Sequence, residues 1–308
     1  MKSEVASNMQ KEVQKVVKGK EAVIEKVLAS MLAGGHILLE DIPGVGKTTL
    51  ALAFSRVMNL KYKRTQFTPD VLPADITGFS LYNKKTESFD YVEGAALCNI
   101  YLADEINRTS PKTQSALLEV MEEGKVTVDG VTREVPRPFF VIATQNPIGS
   151  VGTQRLPESQ MDRFMIRLSI GYPDVESEIQ ILKGEKESSL DLVKNVVDAT
   201  DFLAMQKQVE EVFISDAMYE YILALVGETR TGENFSLGIS PRGTIALQRL
   251  AKAMAFLRGR DYLVPEDVLD IFNDIAGHRV IISNRARAKG LDVSQVLEAA
   301  KLKFPMPA

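Results

Sequence analysis

The sequence predicts an α/β fold followed by a helical region, and three stretches carry that prediction. An apolar run, Ile37-Leu38-Leu39, leads through D-I-P-G-V-G-K-T-T (41–49) into a helix-like stretch at 50–57, giving strand, glycine-rich turn and helix in that order. A second apolar run, N-I-Y-L-A-D-E (99–105), ends in two adjacent carboxylates. From Tyr172-Pro173 onward strand-like runs disappear and helical periodicity takes over. The 308 residues fit one large domain or two moderate ones, and the change of character places the division at 1–173 and 174–308.

The 41–49 stretch has the chemistry of a phosphate-binding loop. Gly44 and Gly46 let backbone N–H groups turn inward as an anion nest, at a helix N-terminus whose dipole already favours negative charge. Pro43 fixes φ at the entry to the turn. Lys47 is placed to reach the β- and γ-phosphates and the Thr48 hydroxyl to ligate Mg²⁺; Val45 and Thr49 complete the nucleotide-binding set. Where the pattern G-x-x-x-x-G-K-[ST] has its first Gly, this chain has Asp41. Asp tolerates a left-handed backbone better than most residues, so the turn can still close.

Composition bounds the alternatives. With 45% apolar and 25% charged residues and a net charge of −4, the chain is an ordinary globular one without the electrostatic footprint of a nucleic-acid binder. No apolar stretch is long enough for a transmembrane span, and 1–10 lacks the apolar core of a signal peptide. A single cysteine, Cys98, excludes an internal disulfide and reads as a buried structural thiol, fitting a reducing, cytoplasmic location. Two histidines, His36 and His278, leave no His-based zinc site.

Taken in order, 4–17 reads as an amphipathic helix with Val5, Met9, Val13 and Val16 on one face, ended by Gly19. A second helix covers 20–33 and stops at Gly34-Gly35. The Val17-Lys18-Gly19 corner can touch the adenine, or can be a plain helix C-cap. A short strand at 63–67 follows the phosphate loop and its helix. The stretch 68–78 reads as a loop, and 79–91 alternates apolar and polar residues around Asn83–Thr86, as a projecting β-hairpin would.

The 99–105 strand has the form of a Walker B element. It delivers Asp104 to the Mg²⁺ shell, and Glu105, one residue further, is placed to orient the attacking water. Two acids ending a strand carry information only together with the phosphate loop 57 residues upstream of Asp104 at Lys47. A helix over 109–123 is signalled by Ser110, Pro111 and a stop at Gly124. The 125–135 stretch is a hairpin with Asp129-Gly130 at its tip, and 139–144 a fourth buried strand ending in Gln145-Asn146-Pro147. Asn146 can contact the γ-phosphate or the lytic water; Asn before Pro is also an everyday turn. Residues 155–169 read as a short helix leading into a fifth strand at 165–170. Arg163 stands at the helix end with Arg155 eight residues earlier, either to pair with a neighbouring acid such as Asp162 or to enter an adjacent subunit.

Beyond Tyr172 helices are expected at 176–186, 201–211, 215–229, 241–258 and 265–276, forming an all-helical region. Ser240-Pro241-Arg242 puts a cation in the first turn of a helix, against its dipole, as an arginine that touches phosphate would be.

Four motifs, E-D-I-P-G-V-G-K-T, L-A-D-E-I-N-R-T-S-P-K-T-Q-S-A-L-L-E-V-M-E-E, A-T-Q-N-P and L-P-E-S-Q-M-D-R-F, make the chain resemble the MoxR group of AAA+ ATPases along nearly its whole length. The resemblance implies a P-loop αβα core with a five-stranded parallel sheet ordered 5-1-4-3-2, a helical lid and ring hexamers. It implies ATP and Mg²⁺ as ligands, Lys47 and Thr48 as Walker A, Asp104 and Glu105 as Walker B, and Asn146 as sensor 1. Arg163 takes the place of the trans-acting arginine finger and Arg242 that of sensor 2, a lid residue at the nucleotide. The hairpin at 79–91 resembles the family's helix-2 insert and 125–135 its pre-sensor-1 hairpin. The family's role is chaperone-like maturation of target proteins, commonly with von Willebrand A-domain partners. The chain departs from the family at Gly243, where Ala is usual, a change expected to loosen its helix by up to about 1 kcal/mol. It also departs at Gly94-Ala95-Ala96-Leu97, which is smaller than the usual G-P-I-F.

Three other functions compete. A magnesium-chelatase-like motor subunit belongs to the same clade. A nucleic-acid motor of the helicase branch predicts basic hairpins, but Lys125 and Arg133 are offset by Asp129 and Glu134, and Lys84 and Lys85 by Glu87 and Asp90. A nucleotide-gated scaffold without turnover would have no use for Glu105 and Arg163.

Overall fold

The computed structural model describes residues 2–42, 44–146, 156–172, 175, 178–179 and 190–307. Two helices, α1 (Lys2–Gln14) and α2 (Glu21–Leu32), precede the first strand, β1 (Ile37–Glu40). The chain continues through α3 (Lys47–Val57), β2 (Tyr62–Gln66), a short α4 (Pro73–Thr77) and the hairpin β3 (Gly78–Asn83) to β4 (Ser88–Glu93). Next come β5 (Ile100–Asp104), α5 (Pro111–Glu123), the hairpin β6 (Lys125–Val128) to β7 (Val131–Glu134), β8 (Phe140–Gln145), α6 (Glu158–Met161) and β9 (Ile166–Leu168).

Five strands form one parallel sheet in the order β2-β5-β8-β1-β9. The hairpin strands take up four of the numbers. Counted among the sheet strands alone, the order is 2-3-4-1-5, which is the expected 5-1-4-3-2 seen from the other edge. Both faces are buried, as a parallel sheet requires. Leu38, Tyr101, Ala103, Val141 and Ala143 pack with Leu117 and Leu118 of α5 on one face. Ile37, Leu39, Ile100, Leu102 and Ile142 pack toward α1, α2 and α3 on the other. This second core runs on without a break into the C-terminal helices, where Leu247, Leu250 and Met254 join Ile24, Val27 and Leu28.

The C-terminal part is built on helices Ala199–Glu210, Asp216–Thr231, Pro241–Leu257 and Pro265–Ala276, close to the expected spans. Ser215 and Ser240 cap two of them, each side chain accepting from the backbone N–H three residues on. The expected helix at 176–186 lies almost entirely outside the described residues, as do Pro43, Pro147 and Arg155.

Two expectations are corrected. The 68–78 stretch is not all loop: Pro73 starts α4, and the Asp75 carboxylate accepts from Leu72 N–H at 2.8 Å. The C-terminal part is not all helical, because Phe235–Leu237 and Ile281–Ile282 form a small antiparallel pair. Strands of two or three residues carry too few alternations to register as a period. Further helices at Asn284–Ala288 and Val293–Lys301 follow, the latter capped by Asp292 with Gln295 reaching back.

Both hairpins form as read. Asp129 (φ 50°) and Gly130 (φ 76°) make the tight tip of β6–β7. The Arg133 guanidinium lies 3.7 Å above the Tyr91 ring, joining the two hairpins.

Candidate active site

Strand β1, fully buried from Ile37 to Leu39, ends at the phosphate loop. Gly44 and Gly46 have φ of 88° and 90°, and a Cβ built on either meets no atom within 4 Å. The glycines therefore serve the left-handed backbone, and the space above the loop is left for a ligand. Gly46 is the N-cap of α3 and no side chain caps it, so the N–H groups of the first turn at Lys47, Thr48 and Thr49 are available to an anion. Lys47 is buried with Nζ donating to the Asp41 and Ile42 carbonyls at 2.9 and 3.2 Å. Burial pulls its pKa down, countered by the charges of Asp41, Asp104 and Glu105, so the ammonium stands within the field of the acids that end β5.

Asp41 closes the loop differently from the expectation. It is not among the residues with positive φ; its buried carboxylate instead accepts from Ile170 N–H, from Gly171 N–H at 3.3 Å and from Ser169 Oγ at 3.1 Å. The residue replacing the first glycine ties the loop to the chain leaving β9. Next to Gly19 (φ 66°), the Lys20 Nζ donates to Tyr172 O at 2.6 Å, one residue past Gly171.

Asp104 and Glu105 sit at the tip of β5, beside β8. The Thr144 hydroxyl bridges them, donating to Asp104 Oδ1 at 2.6 Å and accepting from Glu105 N–H at 2.9 Å. Glu105 is left-handed (φ 57°), a conformation that turns its side chain off the strand line at a cost of roughly 1–3 kcal/mol. Its Oε1 accepts from Asn146 Nδ2 at 3.1 Å and its Oε2 pairs with Arg108 at 2.9 Å. Arg64 of β2 donates to Asp104 Oδ2 at 2.6 Å. Thr144, Arg64 and Arg108 escaped the sequence reading. A hydroxyl at the end of the apolar run V-I-A-T was the available signal for Thr144.

The donor chemistry fits Mg²⁺. Thr48 and Asp104 offer oxygen ligands to a hard cation, and no cluster of three or more His, Cys, Asp or Glu that could hold a metal occurs among the described residues.

Arg163 and Arg242 lie elsewhere. His36, just before β1, donates from Nε2 to Met121 O at 3.0 Å while its Nδ1 accepts from Val141 N–H. Burial drops its pKa to about 4, which keeps it neutral in this tautomer. The C-terminal end of α5 is thereby fixed at the start of the strands. There Glu122 pairs with Arg163, Nε to Oε2 3.1 Å, and through Oε1 with Arg242 Nη2. Beside them Asp162 accepts from Ser240 Oγ and from Arg279 Nε, both at 2.7 Å. Arg279, buried, also donates to the Phe164 and Met165 carbonyls. The phosphate loop follows the other end of β1, about 15 Å away at 3.3 Å per residue. Arg242, expected as a lid residue at the nucleotide, stands with Arg163 on Glu122 at the end of β1 away from Lys47. Gly243 also has a packing role. A Cβ there would lie 2.6 Å from Ile239 Cγ2 and 2.7 Å from Arg279 Cδ, so glycine makes room for the buried arginine.

Comparison with known proteins agrees with this architecture. The model of the ATPase family associated with various cellular activities (AAA) matches residues 36–166, and an AAA lid domain model matches 227–300. YeaC of Bacillus subtilis is 45% identical over 94% of this chain and 92% of its own length. Chaperone MoxR1 of Mycobacterium tuberculosis is 37% identical over 94% of this chain and 80% of its own. A solved structure of a candidate ATPase from Cytophaga hutchinsonii superposes with a TM-score of 0.91 at 38% identity, covering 99% of this chain and 96% of that one. With this sheet, its helical lid and a MoxR1 relative 37% identical over 94% of the chain, the chain belongs to the MoxR family of AAA+ ATPases.

Proposed function

We propose that the chain hydrolyses ATP to ADP and phosphate in a head-to-tail ring, taken as a hexamer, whose active sites lie between copies. One observation carries this reading: Lys47, Asp104, Glu105 and Asn146 gather at one end of the sheet, while Arg163 and Arg242 gather at the other. A site with both sets needs two chains.

The backbone of Gly44–Thr49 and the Lys47 ammonium hold the triphosphate, with Gly19 and its corner beside the base. Thr48 and Asp104 would hold Mg²⁺, which neutralises phosphate charge and fixes the phosphate geometry. Glu105 takes the proton of the attacking water, and the Asn146 amide, already hydrogen-bonded to it, positions that water. Arg163 and Arg242 of the adjacent copy neutralise charge as the terminal phosphate departs, a contribution of about 10³–10⁵ for a trans arginine. The division at about residue 173 separates the nucleotide core from the lid, whose N-capped helix Pro241–Leu257 carries Arg242.

MoxR1 is named a chaperone. On that basis the work done is chaperone-like maturation of a target protein in the cytoplasm, with a von Willebrand A-domain protein as partner. No helix among the described residues is long and apolar enough to cross a membrane. A nucleic-acid motor is disfavoured, since Arg133, one of few hairpin cations, is engaged on Tyr91.

The test is hydrolysis measured across protein concentration for wild type, Glu105→Gln and Arg163→Ala. Specific activity should rise with concentration, each variant should lose it, and mixing the two should restore part of it. Full turnover by a verified monomer at high dilution rejects the ring.

A further inference from the structure

Arg163 comes from the segment entering β9 and Arg242 from the first turn of a C-terminal helix, yet both end on one side chain. Each oxygen of the Glu122 carboxylate takes one guanidinium: Oε2 the Nε of Arg163 at 3.1 Å, Oε1 an Nη of Arg242. Two like charges stand together because an anion lies between them. The other acid at hand, Asp162, is already occupied by Arg279 and Ser240. Glu122 itself is held in place: Met121 O accepts from His36, and Gly124 (φ 63°) closes α5 with its N–H on Val120 O.

The cluster is open to an incoming surface. The side chains of Arg163, Glu122 and Arg242 are 31%, 38% and 47% exposed. Arg163 and Glu122 line a cleft of about 470 Å³ between α5 and β6, together with Glu119, Glu123 and Lys125. A guanidinium carries five N–H donors in a fixed fork. Glu122 accepts a hydrogen bond from one Nη of Arg242 and pairs by charge with Arg163, so each guanidinium has further N–H groups for a second anion.

We propose that Glu122 is a positioning residue for ATP hydrolysis: it sets the spacing of Arg163 and Arg242 so that both guanidinium groups enter the neighbouring copy's phosphate site together. The proposal rests on the ring reading above. It separates Glu122 from the groups that touch the nucleotide, because Glu122 acts in one chain on a reaction carried out in another.

The experiment uses the full chain with Glu122→Ala and the near-isosteric Glu122→Gln, checked for unchanged melting temperature and unchanged affinity for a fluorescent ATP analogue. Turnover at saturating ATP should fall by about tenfold to a hundredfold in Glu122→Ala, the range that misplacing a positioned group costs. Glu122→Gln should fall between it and wild type. Mixing Glu122→Ala with Glu105→Gln should restore activity, since the second variant lends intact arginines to the first variant's intact base. Mixing Glu122→Ala with Arg163→Ala should restore none, both being defective at the same end. The proposal is overturned if Glu122→Ala turns over like wild type, or if it assembles normally and Glu105→Gln fails to rescue it. A concentration-independent wild type overturns the ring reading instead, which the Glu122 variants alone cannot do.

Discussion

Asn146 donates its side-chain amide to Glu105 at 3.1 Å, joining the tips of β8 and β5. The contact fixes one Glu105 carboxylate oxygen, and in the proposed mechanism it leaves the amide beside the attacking water. Asn146→Ala should therefore lower turnover by about 10²–10³, as removal of one preorganised donor does elsewhere. ATP affinity should stay near wild type. Steady-state kinetics together with equilibrium nucleotide binding separate the two; a pure affinity loss contradicts the assigned role.

Gly243→Ala tests the packing of the lid against the core. Helix propensity alone predicts that alanine stabilises this helix by about 1 kcal/mol. The added Cβ would instead press on Ile239 and on the buried Arg279 side chain. A loss of about 1–3 kcal/mol is expected, seen as a lower urea midpoint. A gain would show that Arg279 gives way without cost.

Asp267 is fully buried, with Arg260 donating to both its oxygens at 2.6 Å and Arg258 donating at 3.1 Å. Arg258 also reaches Glu25 of α2 at 3.5 Å, so this carboxylate lies where the C-terminal helices meet the N-terminal ones. Asp267→Asn keeps the shape and removes the charge from between two partly buried guanidinium groups. About 3 kcal/mol should be lost, the lower end for breaking a buried pair because both arginines keep some solvent. Chemical denaturation reads it directly.

His36 gives a pH dependence with a definite sign. Its folded pKa, lowered to about 4 by burial, lies below the ordinary 6.5, so between those values the unfolded chain binds a proton that the folded chain does not. The stabilisation is fully present above pH 6.5 and is lost as pH falls toward 4, by about 3 kcal/mol in all. His278, shifted the same way by burial and by Arg279, adds to it. Denaturation midpoints at pH 7.5 and pH 5 should differ less in His36→Gln than in wild type.

The glycine turn at Gly44 and Gly46, the acids ending β5 and the sheet that carries them were legible because local chemistry writes them: glycines where φ is positive, apolar runs where both faces are buried, acids at a strand tip. Long helices were legible for the same reason, through Ser caps and Pro at the first turn. What could not be read is set by partners distant in sequence. Asp41 looked like a tolerated substitute for glycine, and only its contacts at Ser169, Ile170 and Gly171 explain it. Gly243 looked like a weak helix start until Arg279, 36 residues on, was seen to need the space. Arg242 was placed correctly on a helix start, but its end of the molecule depends on how the lid docks, through Asp162 with Ser240 and Arg279.

The separation of Lys47 from Arg163 along β1 gives the molecule a direction. In the proposed ring one end receives nucleotide, the other supplies arginine, and contact between unlike ends is heterologous. Such a contact has no twofold axis, so a pair built on it completes one site and leaves one loop and one arginine cluster unmatched. An open row always holds one site fewer than its chains. Closure alone brings the two counts level, and a rotation per step that fails to close would instead yield a filament.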